Sequence, residues 1–182
     1  ITGEKKEKEG GQEAEEEKTT SLIVSWESLQ ARQEKLDDII NKKIPENSKD
    51  IGIAREYGDL KENFEFKAAK QQQAVLMRQK AELEAEVSTA RGTDFSDANT
   101  SSVSVGTIVE LEDVNSGSSE SVTMLGAWDT DTDKGIISYL SGMGSAMLGK
   151  STGDEIELPT EKEGETRLVR IKAITAYAKV DS

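Results

Sequence analysis

Cysteine and histidine are both absent from the 182 residues. That removes disulfides, thiol nucleophiles, imidazole bases and the commonest zinc sites together. A chain without cysteine fits a reducing cytosol, although it is compatible with any compartment. No apolar run approaches the roughly 18–20 residues needed to span a bilayer. Nor is a signal peptide visible. A membrane is therefore not expected among the partners. Positive charge is also scarce. Against 36 acidic residues stand 23 basic ones, a net charge of −13. A phosphate backbone is not the natural nonspecific partner of such a chain. A basic protein surface, or a site where a few carboxylates hold a metal, suits it better. The length allows one domain or two small ones. The first residue is Ile1, not methionine, so the chain is expected to be a piece of a longer protein.

The opening ITGEKKEKEGGQEAEEEKTT holds almost nothing to bury. Such a segment cannot offset its own ordering entropy, which predicts a disordered acidic lead-in over 1–24. Ser25 then offers a helix N-cap before Trp26. Leu29, Leu36, Ile40, Ile44, Ile51 and Ala54 recur at steps of seven, four, four, seven and three, one apolar stripe of a helix. Pro45 removes an intrahelical donor and predicts a kink or break near Ile44. Gly58 is suited to end this helix with positive φ. Asn63 is placed to cap the next one, with Glu65 in its first turn. The second helix is predicted from about Phe64 to Ala90, with Leu76, Leu83, Val87 and Ala90 facing the first. Together the two arms, over 25–90, read as an antiparallel coiled-coil hairpin about 45 Å long.

Residues 91–104 are rich in Gly, Ser, Thr, Asp and Asn and read as a linker. Beyond them the period changes. Apolar, β-branched runs at 105–111, 122–125, 136–140, 156–158 and 168–174 are separated by turn residues. Ala146-Met147-Leu148-Gly149 predicts one short helix ended by glycine. The fold class is therefore α+β. The hairpin is followed, over 105–178, by a small, strongly twisted antiparallel β-sheet domain with one short helix.

The hairpin closes on Gly58-Asp59-Leu60-Lys61-Glu62-Asn63. Asp59 and Glu62 stand three residues apart, so a turn or helix end can aim both carboxylates one way. Two carboxylates alone hold magnesium poorly, because that ion prefers six oxygens and keeps its waters. They make sense as part of a split site in which a partner supplies the remaining ligands and a second metal activates water for attack on a phosphodiester. The plain alternative is a soluble turn.

GDLKEN, preceded by Ala54-Arg55-Glu56 and followed by Glu65-Phe66 and Ala68-Ala69, resembles the finger tip of the bacterial transcript cleavage factors GreA and GreB. Gly106-Thr107, Asp129-Thr130-Asp131, Ile137-Ser138, Ala146 to Lys150 and Gly153-Asp154 continue the resemblance in order, over roughly residues 25–178. It implies an FKBP-like second domain that docks on the rim of the polymerase's secondary channel, with the finger inserted into that channel. The resemblance implies that Asp59 and Glu62 help hold the second catalytic magnesium of RNA polymerase. The polymerase then cleaves the 3′ end of backtracked RNA. It further implies Arg55, Lys61, Lys67 and Lys70 as RNA contacts. Asp129, Asp131, Ser141 and Gly142 fall in the docking segment. Phe66 stands where the family often has tyrosine. Ser141-Gly142 replaces the family's Ser-Pro, and glycine loosens that loop relative to proline.

The expected protein is thus a cytoplasmic accessory factor, not itself an enzyme. It would be a monomer that binds no cofactor alone and shares magnesium with RNA polymerase. With the phenylalanines all before residue 96, the second domain lacks the aromatics that line a prolyl isomerase pocket. Lacking histidine and a full set of metal ligands, the chain does not read as a stand-alone nuclease. Two other readings stay open: a Gre-like modulator or inhibitor that binds the channel without cleavage, and a coiled-coil adapter within a larger polypeptide.

Overall fold

A computed structural model describes residues 21–58 and 63–178. Residues 1–20 of the expected lead-in and the tip residues Asp59, Lys61 and Glu62 lie outside the described residues. The chain enters as a short strand, β1 (Leu22–Ser25), and turns into helix α1 (Trp26–Asp38). Ser25 is the N-cap, its hydroxyl accepting from Ser28 N at 3.1 Å. A π-helical turn, Ile39–Lys43, passes directly into α2 (Ile44–Glu56). α3 (Phe64–Thr89) returns antiparallel and ends in β2 (Ala90–Thr93), which pairs in parallel with β1.

Two sequence expectations need correction in this half. The helix does not break at Pro45: the backbone stays helical from α1 through the π turn into α2, and the irregularity lies just before the proline. The π turn supplies the adjustment, with Ile44 N bonding Ile39 O. The buried stripe also differs from the predicted one. Ile39, absent from the predicted stripe, is fully buried, whereas Ile40 and Ile44 are only partly so. The hairpin core is Leu36, Ile39, Leu76 and Leu83. Beyond it Asn47 is buried, its amide donating to Ala69 O at 3.0 Å across the two arms.

The boundaries shift as well. Leu22–Val24, placed by sequence in the lead-in, form β1, and Val24 is fully buried. Arg91–Thr93, placed in the linker, form most of β2. Within the rest of that segment Phe95 and Val103 are buried, so it packs more than its composition suggests. Phe95 adopts φ 60°, a conformation uncommon for a bulky residue, with its ring edge-on to Tyr177.

The C-terminal half is a five-stranded sheet in the order β5-β4-β3-β7-β6. Its strands are β3 (Thr107–Asp113), β4 (Ser119–Leu125), β5 (Ile136–Ser138), β6 (Glu155–Pro159) and β7 (Thr166–Ala176). All five lie where the apolar runs placed them. Helix α4 (Gly142–Met147) starts four residues earlier than its predicted Ala146, and Gly149 follows it at φ 80°. The sheet is mixed instead of purely antiparallel, because β5 runs parallel to β4 at the edge. A connection spanning 126–135, with a 3-10 turn at Thr132–Lys134, carries the chain back far enough to allow that pairing. Val109, Leu111, Met124, Met147, Leu158, Val169 and Ile171 fill the core under α4.

Candidate functional site: the finger tip and the loop after β4

The tip is held from both sides. Gly58 follows the end of α2 at φ 106°, where a residue bearing a Cβ is strained. Asn63 caps α3 by accepting from Phe66 N at 2.9 Å. Its amide also donates to Ala54 O at 2.6 Å, which ties the start of one arm to the end of the other. Residues 59–62 are thus the closing segment between two fixed ends. Asp59, Glu62 and Lys61 belong to it and lie outside the described residues.

Around this turn the described side chains include cations and aromatics beside the exposed carboxylates of Glu56 and Glu65. Arg55, in the last turn of α2, places its guanidinium 5.8 Å from the centre of the Phe66 ring. Lys67 lies 5.7 Å from the Phe64 ring. Both distances sit near the limit for cation–π attraction and orient the cations more than they hold them. Lys70 is one turn further from the tip and bonds Gln73 at 2.7 Å. Arg55 and Lys67 therefore gather by the tip, with Lys70 behind. Phe64 is 81% exposed and Tyr57 73%, so apolar surface also surrounds the turn. Among the described residues no group of three or more acidic side chains converges to hold a metal.

The predicted docking residues divide into two sets. Asp131 precedes the 3-10 turn and pairs with Lys134 at 3.2 Å on the surface. Ser141 is the N-cap of α4, accepting from Gly144 N at 2.9 Å and donating to Ser138 O at 2.7 Å. Gly142 is the first residue of that helix and opens onto empty space. Exposed Leu140 and Leu148 flank it. Asp129 is different. Both of its carboxylate oxygens are taken by the base of the finger, through Ser25, Ser28 and its own Gly126. Its carboxylate is engaged within the chain. A cleft of about 500 Å³ opens beside this junction, between Trp26, Glu27, Asp94, Trp128, Asp131 and Lys134. Hydrogen bonds from Ser96 hold the Asp94 carboxyl there below its ordinary value of 3.8.

The model described as "Transcription elongation factor, N-terminal" matches residues 22–91, and that described as "Transcription elongation factor, GreA/GreB, C-term" matches 98–176. The transcription elongation factor GreA of Treponema pallidum (strain Nichols) is 39% identical over 135 residues, 74% of this chain and 83% of that protein. The chain belongs to the GreA/GreB family of transcription elongation factors. GreA of Nautilia profundicola is 43% identical over 114 residues, covering 63% of this chain and 70% of its own. GreA of Borreliella burgdorferi is 41% identical over 129 residues, 71% of this chain but 14% of that protein. Superposition on the GreA factor homolog 1 protein of Thermus thermophilus gives a TM-score of 0.38 at 26% identity, over 86% of this chain and 99% of that one. Family membership rests on the sequence relatives. Among the described residues no helix is long and apolar enough to cross a membrane.

Some residues that shape the tip and the junction carry no sequence signal of their role. Asn47 reads as an ordinary polar residue on a charged helix, and Arg32 as a solvated cation. Ser25 is legible as a cap, but nothing in the sequence pairs it with a carboxylate 104 residues away.

Proposed function

We propose that the chain binds bacterial RNA polymerase through the secondary channel and stimulates cleavage of the 3′ end of backtracked RNA. The observation that carries this reading is the closed hairpin of a GreA/GreB-family chain. In its sequence Asp59 and Glu62 fall between Gly58, at positive φ, and the capping Asn63. The chemistry of this donor set fits a shared metal and not a private one. Two carboxylates fall short of the six oxygens magnesium prefers, and no histidine or cysteine exists to complete the shell. Magnesium held jointly with the polymerase would supply the charge that activates a water for attack on the phosphodiester.

Asp59 and Glu62 lend oxygens to that site. Arg55, Lys61, Lys67 and Lys70 meet RNA phosphates as individual cations spaced among the acidic residues of the tip. Asp131, Ser141 and Gly142, with Leu140 and Leu148 exposed beside them, form the docking surface on the polymerase. The chain acts as a monomeric accessory factor in the cytoplasm, and the polymerase performs the chemistry.

The test uses stalled, backtracked bacterial RNA polymerase with RNA lengths read on a gel. The chain is expected to accelerate 3′ cleavage, and the Asp59→Ala, Glu62→Ala double variant to bind without accelerating it. Equal cleavage by both would sink the tip assignment. Binding without cleavage by either would make the protein a channel-binding modulator. Failure of both to bind would leave the adapter reading.

A further inference from the structure

The contacts at the base of the finger assign Asp129 a role that its place in the docking loop conceals. We propose that Asp129 is the positioning residue that fixes the direction of the finger relative to the C-terminal domain. Ser25 spends its hydroxyl lone pair on Ser28 N, as an N-cap does. Its hydroxyl proton then goes to Asp129 Oδ1 at 2.5 Å, and the Ser28 hydroxyl donates to the same oxygen at 2.5 Å. Asp129 Oδ2 accepts from Ser25 N at 2.9 Å and from Gly126 N at 3.0 Å. Three donors therefore come from the finger and one from the carboxylate's own loop. Bonds to an ionised acceptor are roughly twice as strong as neutral ones. The negative charge also sits at the positive end of α1.

The neighbouring backbone is built to let this happen. Ile23 turns both of its backbone groups away from β2 and toward the other domain. Its carbonyl accepts from Ala127 N at 2.7 Å, and its N–H donates to the Tyr139 hydroxyl at 3.1 Å. A Cβ on Gly126 would stand 2.6 Å from Ile23 O and 2.7 Å from Val24 Cα, so only glycine permits this approach. Arg32 lies 4.1 Å over the Trp128 ring while pairing with Glu86 of α3, which brings the second arm into the same junction.

Leverage makes the junction matter. A helix of 26 residues is roughly 39 Å long, so a rotation of about 10° at its base sweeps the tip by about 7 Å. A displacement near 1 Å at a reacting centre can cost about 100-fold in rate. This functional consequence rests on the cleavage reading above, whereas the orientation itself does not.

The absence of cysteine makes the orientation measurable. Gln72→Cys on α3 and Glu157→Cys on β6, both at exposed positions, can carry spin labels. Pulsed electron paramagnetic resonance then reads the distance between the finger and the sheet. The labelled parent should give one narrow distribution. Asp129→Ala should give one several-fold broader or split, with the circular dichroism of helix and sheet unchanged. An unaltered narrow distribution in that variant would overturn the proposal. Should Asp129→Ala not fold, Ser28→Ala removes one of the four donors, leaves the cap in place, and is judged by the same broadening. In the cleavage assay Asp129→Ala should lose activity by about 100-fold, and parental cleavage despite a broadened distribution would also overturn the role. A parent chain that does not cleave would defeat the cleavage reading while the distance measurement still decides this one.

Discussion

Ser141 holds φ −65° and ψ 160° as it caps α4, and those angles decide what its neighbour can be. Proline forces the residue before it into this extended region, so Ser141 already has the conformation that a proline at 142 would impose. Position 142 is the first of the helix, where proline's fixed φ and missing N–H are tolerated. A Cβ there meets nothing within 4 Å. Gly142→Pro is therefore expected to stabilise the chain by about 0.4–1 kcal/mol through the unfolded state, read from urea unfolding. It should also tighten binding to the polymerase. A loss of stability would mean that the helix start is not free to accept the ring.

At the scale of elements, the hairpin depends on a few polar contacts that its apolar stripe does not announce. Asn47 is 6% exposed, and its amide bonds Ala69 O across α2 and α3. Asn47→Ala should cost about 1 kcal/mol, seen by far-ultraviolet circular dichroism in urea. The Ala69 carbonyl lies within α3, so the loss is that of one net bond and not of an orphaned group. A much larger loss would mean that the tie holds the whole distal hairpin. Sequence and structure part near the π turn at Ile39–Lys43. The predicted stripe steps from Leu36 to Ile40 and Ile44. Ile39, three residues from Leu36, lies on the same face and takes the fully buried place, a choice between i+3 and i+4 neighbours that periodicity alone does not make.

The molecule as a whole has two separate apolar cores, one between the helical arms and one under the sheet. Between them lies a junction made mostly of hydrogen bonds. Leu83, 7% exposed in the first core, should on replacement by alanine cost about 2–5 kcal/mol. Hydrogen exchange is expected to accelerate in peptides of α1 and α3 while β3 and β7 keep their protection. Equal acceleration throughout would show that the junction makes both halves one cooperative unit.

Local chemistry was enough to place most elements, because caps, glycines and apolar periods act over a few residues. Ser25, Gly58 and Asn63 mark helix ends by side-chain chemistry and φ preference alone. The five strands fall on β-branched runs separated by turns. The tip motif and family resemblance were legible for the same reason, being contiguous in the chain. What the sequence could not decide was everything that joins distant segments. The parallel pairing of β4 with β5 depends on where the connection at 126–135 returns the chain. The pairing of β1 with β2 exists because α3 comes back beside α1. Nothing in the chain order sets Asp129 against Ser25 and Ser28, whose donors it satisfies. Sequence by itself determined the long helices and the five strands of the C-terminal sheet, since their causes are local. Only the tertiary structure decided which polar groups are spent on holding the finger in place, because a hydrogen bond requires two groups to meet and the chain order does not say which will.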